Sequence, residues 1–211
     1  DGYCQSQEEI DMADCVYGGN KANIKPGYIR YVDVNHDGEI NSKDRVILGN
    51  STPRYEYSFT LGGQWKGIDL SLFFQGVGKR DLYYSGAGAR PLVQNSTIFK
   101  SQLDTWSPEN PDAEYPLLLV DAGSTNMNNI VSSFWIKSGA YLRLKNLTVG
   151  YTLPKKWTNR VSIDNLRLYF TASNLFTINN GYKGYDPETG VTSGAMYPVM
   201  KTFNFGINLD F

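Results

Sequence analysis

The stretch that decides the fold is PVMKTFNFGINLDF, residues 198–211. From residue 202 onward apolar and polar residues alternate strictly. The apolar members are Phe203, Phe205, Ile207, Leu209 and Phe211, and the polar members are Thr202, Asn204, Gly206, Asn208 and Asp210. Successive side chains of an extended strand point to opposite faces, so this alternation predicts a strand with one apolar and one polar face. Its length is that of a strand that spans a membrane.

The same period of two recurs upstream and predicts five spanning strands in all, at 55–65, 68–84, 141–153, 164–178 and 198–211. In the third of these the phase slips, because Leu142 and Leu144 share one parity while Leu147 and Val149 share the other. A β-bulge near Asn146 would reconcile the two halves, since a bulge inserts one extra residue into a strand.

Two all-β architectures give such strands, a soluble antiparallel sandwich and a transmembrane barrel. Three features favour the barrel. The strands are longer than the ~5–6 residues usual in soluble sheets. The connections 66–67 and 154–163 are short, while 85–140 and 179–197 are long, as at the two rims of outer-membrane barrels. Large aromatic residues stand near the strand ends, as at membrane interfaces. Those beside the short turns are Trp65, Tyr151, Trp157 and Phe211, and those beside the long loops are Tyr55 and Tyr83.

The composition agrees with strands rather than helices as the spanning elements. Charged residues are 19% and aromatic residues 14% of the chain, yet apolar residues are interleaved with polar ones. No run approaches the ~18 apolar residues of a transmembrane helix. The net charge of −1 gives no indication of a nucleic-acid partner.

If the short turns are periplasmic, residues 1–54 form an extracellular region, residues 55–211 form the C-terminal strands, and 85–140 and 179–197 are long extracellular loops. Five strands cannot close a barrel, because their edges would leave unpaired backbone groups in lipid. Residues 1–4 show no signal-peptide pattern. We therefore expect an N-terminal part of the same gene product to supply the other strands.

Residues 33–44 have the spacing of a calcium-binding loop. Oxygen ligands stand at positions 1, 3 and 5, glycine at 6, a backbone carbonyl at 7 and an acidic side chain at 12. The predicted ligands are Asp33, Asn35, Asp37, Glu39 and Asp44. Position 12 is Asp rather than the usual Glu, which makes bidentate closure less secure. The alternative is an Asx-rich turn that orders itself by side-chain to backbone hydrogen bonds without metal.

The sequence contains no convincing catalytic set. His36 is the only histidine, so a nucleophile–histidine triad has no candidate. Cys4 and Cys15 are compatible with a disulfide and equally with two free thiols. The stretch 106–111, WSPENP, predicts a proline-stiffened turn, and an aromatic sugar platform is its alternative. We expect a protein that is not an enzyme.

Several ordered motifs resemble the C-terminal third of SusC/RagA-type TonB-dependent outer-membrane transporters. They are QSQEEI at 5–10, PGYIRY at 26–31, RVILGN at 45–50, FFQG at 73–76, WSPENP at 106–111, YLRLKN at 141–146, NLF at 174–176, GYDPE at 184–188 and the terminal Phe211. The resemblance covers nearly all of the chain.

This resemblance implies an integral Gram-negative outer-membrane barrel of about 22 strands with an N-terminal plug. It implies a SusD-like surface lipoprotein as a lid, TonB-driven import of oligosaccharides or peptides, and Phe211 as the signal for the barrel-assembly machinery. The lumen-facing or plug-contacting residues would be Glu56, Gln64, Arg167, Tyr169, Asn204 and Asn208. The alternative function is a soluble calcium-dependent carbohydrate-binding or adhesion module, which would explain the metal loop but not the long strands.

Overall fold

The computed structural model describes residues 2–86, 92, 98–119, 127–158, 162–179, 186–189 and 197–211. Two short α-helices are present in these ranges, α1 (Gln7–Met12) and α2 (Lys155–Thr158). No helix in the described ranges is long and apolar enough to cross a membrane.

Eight strands make up most of the regular structure of the described residues. They are β1 (Glu56–Trp65), β2 (Ile68–Val77), β3 (Asp81–Tyr83), β4 (Ile136–Ser138), β5 (Tyr141–Thr152), β6 (Asn165–Ser173), β7 (Thr177–Asn179) and β8 (Thr202–Asp210). The main sheet is antiparallel throughout and runs β1-β2-β5-β6-β8, with β7 also paired to β5. The predicted all-β antiparallel fold class is confirmed.

The β1–β2 hairpin closes through a two-residue turn. Lys66 and Gly67 have φ values of +48° and +87°. Positive φ at both central residues belongs to type I′ turns, whose twist matches that of the flanking strands. The turn sets the register from Trp65 opposite Ile68 to Glu56 opposite Val77.

A β-bulge interrupts β5, as the phase slip predicts. Phe73 of β2 pairs with Asn146, and Phe74 pairs with Leu144, so Lys145 is the extra residue. The bulge therefore lies one position from the predicted Asn146. It lets the leucines before and after it share the apolar face of the sheet.

The predicted strand 68–84 is wrong in its second half. Pairing with β1 and β5 ends at Val77, and β3 pairs instead with β4, which lies inside the predicted loop 85–140. Leu82 and Tyr84 are 3% exposed because they enter a separate aromatic core. Burial in that core competes with extension of the sheet, and the alternation of residue types does not distinguish the two outcomes.

The strand predicted at 164–178 is divided into β6 and β7. Asn174, with a φ of +54°, breaks the extended backbone between them. Both pieces pair with β5, on opposite sides of its bulge. Residues 165–179 therefore run along β5, but they form two strands rather than the single one predicted. The last strand, β8, begins at Thr202 rather than at residue 198.

Residues 2–50 are more ordered than the predicted extracellular loop region suggests. Ser6 caps α1, its hydroxyl accepting from the Glu9 N–H at 3.1 Å. Two buried clusters join this segment to later parts of the chain. The first contains Tyr3, Ile29, Leu82, Tyr84, Trp106, Ala113, Tyr115 and Trp135. The second contains Cys4, Ile10, Ile24 and Tyr28, against which the later residues Leu117, Leu119 and Met127 pack.

Candidate functional site

One face of the main sheet is apolar from edge to edge, and most of its large side chains are exposed, whereas Leu144 and Ala172 on the same face are buried. Directly paired residues of antiparallel strands share a face. One row across five strands is Trp65, Ile68, Tyr151, Leu168 and Ile207. Phe205 is 83% exposed in the neighbouring row, and its ring centroid lies 4.9 Å from that of Phe170. A continuous apolar face of this kind needs an apolar partner, because exposure to water is unfavourable.

The opposite face is polar and carries all six residues predicted to face a lumen. One of its rows is Gln64, Asp69, Gly150, Tyr169 and Gly206. The neighbouring rows contain Arg167 beside Asn208 and Thr171 beside Asn204. Glu56 lies on this face at the far end of β1, opposite Val77. The structure thus places these residues on one surface, and their contact with a lumen or plug stays a prediction.

An ion pair crosses β5 on this polar face, near the short-turn end of the sheet. Arg167 of β6 donates to Asp69 of β2 from Nε at 2.9 Å and from Nη2 at 2.6 Å. The two residues are separated by β5, which contributes Gly150 between them. A Cβ on Gly150 would lie 2.5 Å from Arg167 Nη2, so only glycine leaves room for the bridge. The sequence alone does not single out Asp69 as a site residue, because only the register of three strands brings it to Arg167.

Tyr169 extends this cluster toward β8. The Arg167 guanidinium lies 5.2 Å from the centroid of its ring. The ring also covers Gly206, where a Cβ would lie 2.7 Å from Tyr169 Cε1. The alternating pattern assigns Gly206 to the polar side but does not indicate that an aromatic ring replaces its missing side chain.

A second charged cluster lies at the long-loop end of β5. Arg143, whose side chain is 4% exposed, forms ion pairs with Asp186 at 2.6 Å and with Glu188. Lys145 also reaches Glu188, at 2.9 Å, and Arg143 Nε donates to the Thr177 hydroxyl at 2.7 Å. The cluster ties residues 186–189 to the sheet.

The bulge creates this second cluster. In a regular strand, the faces of residues 143 and 146 would be opposite, whereas both lie on the polar side here. Lys145, the extra residue, points to the same side and meets Glu188. The sequence motifs at 141–146 and 184–188 indicate these positions, but their pairing requires the fold.

The calcium-type loop forms the sharp turn that its spacing predicts. Gly38 has a φ of +85°, and its N–H donates to Asp33 Oδ2 at 2.8 Å. At the end of the loop, Asp44 accepts from the backbone N–H groups of Asn41 and Val34 at 2.7 and 2.9 Å. These are the side-chain to backbone bonds of an Asx-type turn.

Two of the predicted ligands have their charge stabilised by neighbours. A hydrogen bond from Asn35 Nδ2, at 3.0 Å, holds the pKa of Asp37 below its usual range, and Lys43 Nζ at 3.2 Å contributes. The backbone N–H of Asn41 does the same for the pKa of Asp44. Both carboxylates are therefore ionised at neutral pH, the form that a cation requires.

The loop carboxylates are directed to donors within the loop. Glu39 is approached by Asn41 Nδ2 at 3.4 Å from its Oε2. Within the ranges that the structure describes, no group of three or more His, Cys, Asp or Glu side chains is arranged to hold a metal ion. The donor set of hard oxygens and the glycine turn fit calcium by chemistry, and coordination would require the side chains to turn inward.

The remaining candidates have structural roles. Cys4 and Cys15 are free thiols, and burial raises the pKa of each above the ordinary thiol value. Trp106 is 6% exposed, and its Nε1–H donates to Gln5 Oε1 at 2.9 Å. The sugar-platform alternative for this tryptophan is therefore wrong, because its ring packs in the core against Gly27.

Comparison with known proteins gives a consistent result, although no family model matches. TonB-dependent receptor P3 of Formosa agariphila is 33% identical over an alignment of 205 positions, which covers 88% of this chain and 19% of that protein. TonB-dependent receptor SusC of Bacteroides thetaiotaomicron is 29% identical over 192 residues, 90% of this chain and 18% of that protein. A solved structure of the RagAB peptide importer in its open-open state matches with a TM-score of 0.61 and 28% identity, over 82% of this chain and 19% of that chain.

The chain belongs to the SusC/RagA type of TonB-dependent receptors. It spans about a fifth of the length of the curated relatives that it matches. This partial coverage fits the predicted C-terminal portion of a barrel. The relatives are receptors and transporters rather than enzymes, in agreement with the absence of a convincing catalytic set in the sequence.

Proposed function

We propose that this segment forms part of the wall of an outer-membrane transporter that imports oligosaccharides or peptides. The observation that carries the proposal is the two-faced sheet, with one apolar face whose large side chains are mostly exposed and one polar face crossed by the Asp69–Arg167 ion pair. Lipid would solvate the first face, while the second would border the transport path or the plug.

The edges of the sheet define what must complete it. β1 and β8 are each paired on one side in the described structure. In lipid their free N–H and C=O groups would each cost several kcal/mol. The N-terminal part of the same transporter would supply strands to both edges.

The further partners proposed here are those that the family resemblance implies. A SusD-like lipoprotein would close over the long-loop side, TonB would act through the N-terminal part, and Phe211 would be read by the barrel-assembly machinery. One similar structure is described as a peptide importer, which supports peptides as a substrate class, and the resemblance also implies oligosaccharides, so the test includes both.

The test is purification of the complete tagged gene product from outer membranes with and without detergent. We expect it to require detergent, to co-purify with a surface lipoprotein, and to support TonB-dependent uptake of either labelled oligosaccharides or labelled peptides. Recovery as a monomer in the aqueous fraction would contradict the transporter and favour the calcium-dependent binding module.

We also propose a structural calcium ion in the loop of residues 33–44. Asp33, Asn35, Asp37, the Glu39 carbonyl and Asp44 would hold it, and the ion would replace the Lys43 ammonium beside Asp37. Protein oxygens would fill its coordination shell, so it would pin an external segment rather than take part in chemistry.

Calcium binding is tested by isothermal titration of the transporter with Ca²⁺, comparing wild type with Asp37→Asn and Asp33→Ala. We expect heat of binding and a raised unfolding temperature in the wild type, and at least a tenfold weaker response in Asp33→Ala. The control is Asp14→Ala, an acidic residue outside the loop. Equal responses in all variants would leave the Asx-type turn as the sufficient explanation.

A further inference from the structure

The tryptophans divide sharply between the core and one end of the sheet. Of the four in the chain, Trp106 and Trp135 are 6% and 1% exposed. Trp65 and Trp157 are 68% and 63% exposed, and both stand at the short-turn end. An exposed indole is costly in water, but it suits the boundary between hydrocarbon and headgroups.

Each exposed tryptophan has lysines beside it. The Lys66 ammonium lies 4.6 Å from the centroid of the Trp65 ring. Lys155 and Lys156 immediately precede Trp157 in α2, and both are exposed. Among the described residues, none of these three lysines forms an ion pair. Their charge is thus available to an external anion.

The two tryptophan–lysine groups belong to one surface. The N–H of Thr152 donates to the carbonyl of Gly67 at 2.7 Å, so the β1–β2 turn lies against the end of β5. α2 begins at Lys155, three residues after Thr152. Ile68 and Tyr151, the last pair on the apolar face, adjoin this surface.

The acidic residues of the same end lie elsewhere or are already paired. Asp69 is held by Arg167. Asp164 and Asp210 meet at the β6–β8 side, where the Asp164 N–H donates to the Asp210 carbonyl at 2.8 Å. Positive charge is therefore concentrated along the rim from the β1–β2 turn to α2 in the β5–β6 connection, while these two carboxylates lie toward β8.

We propose that Trp65, Lys66, Lys155, Lys156 and Trp157 form a binding surface for the headgroups of anionic phospholipids. The indoles would lie at the level of the glycerol backbone, and the ammonium groups would contact lipid phosphates just beyond the apolar band. This inference rests on the proposed membrane location of the sheet and adds a preference for one class of lipid to it.

The test uses the complete transporter in mixed micelles that contain equal amounts of phosphatidylglycerol and phosphatidylcholine. Bound lipids are counted by mass spectrometry after removal of excess detergent. A lysine near an anionic surface favours the anionic lipid about fivefold at moderate ionic strength. We expect enrichment of phosphatidylglycerol on the wild type, and a loss of at least fivefold of that enrichment in the triple variant K66Q/K155Q/K156Q.

The matched control is K79Q/K100Q/K201Q, which removes the same charge away from this rim and should retain the wild-type enrichment. Folding of every variant is checked by the heat-dependent gel mobility of a closed barrel. Equal lipid ratios in the wild type and both triple variants would contradict the proposed lipid-binding surface without contradicting the proposed barrel. A wild type that does not fold in lipid or detergent would instead overturn the proposed membrane function.

Discussion

At the residue scale, the polar face is organised by side chains whose partners are far apart in sequence. Asp69 and Arg167 are 98 residues apart, and Arg143 and Glu188 are 45 apart. Such pairs are stable when geometry and additional hydrogen bonds offset the loss of hydration. The glycine between the first pair and the bulge beside the second pair provide that geometry.

Gly150→Ala tests the first ion pair. The added methyl group would overlap the positions of Asp69 and Arg167, so we expect a loss of about 1–3 kcal/mol in the free energy of unfolding. The measurement is urea unfolding of the lipid-reconstituted transporter.

The control for this substitution is Gly63→Ala on the apolar face, where a Cβ would meet nothing within 4 Å. We expect that variant to differ from wild type by less than about 0.5 kcal/mol. Equal destabilisation by the two alanines would show that strand glycines matter for their backbone alone.

Arg143→Met tests the second cluster. Breaking a buried ion pair costs about 3–5 kcal/mol. We expect the lower end of that range, because Asp186 and Glu188 keep 19% and 27% of their side-chain surface exposed. Hydrogen exchange of residues 186–189 should accelerate, since the Glu188 N–H is bonded to Asp186 at 2.9 Å.

Arg143→Lys is the matched control for this cluster. It keeps the positive charge but loses the planar guanidinium that bonds both Asp186 and Glu188. We therefore expect a hydrogen-exchange rate between those of the wild type and the methionine variant. Unchanged exchange in the methionine variant would mean that residues 186–189 are held by other contacts.

At the element scale, the bulge of β5 determines to which face of the sheet the side chains of residues 141–144 point. One extra residue reverses the alternation, so Leu142 and Leu144 reach the apolar face and Arg143 reaches the polar face. The sequence predicted this bulge from the phase of its leucines. It did not predict the ends of β2 or the β3–β4 pair, because those follow from burial of Leu82 and Tyr84 in the separate aromatic core.

Deletion of Lys145 should remove the bulge. A regular strand would turn Arg143 toward the apolar face, at a cost of about 2–4 kcal/mol if that site is near the bilayer centre and less near its rim. We expect the deletion variant to yield little folded barrel in a heat-dependent gel-mobility assay.

Lys145→Ala keeps the residue count and loses only the ion pair with Glu188, so it should fold nearly as wild type. If the deletion variant folded as well as this alanine variant, the bulge would not determine the register.

At the scale of the whole molecule, the two faces of the sheet have different solvents in the proposed barrel. Ile207→Arg would place a cation on the apolar face, and we expect it to cost about 2–4 kcal/mol and to reduce assembly into the outer membrane. Asn204→Arg, on the polar face of the same strand, should assemble normally. The measurement is the amount of each variant in purified outer membranes, and equal amounts would contradict the assignment of the apolar face to lipid.

The sequence by itself determined the antiparallel all-β class, the two faces of the strands and the position of the bulge, because side-chain alternation is a local consequence of extended backbone. It also contained the calcium-type spacing and the family motifs. Only the tertiary structure decided that Asp69 meets Arg167, that Arg143 and Lys145 hold Asp186 and Glu188, and that Trp106 is buried. These contacts join residues distant along the chain, and strand register and core packing, rather than residue type, bring them together.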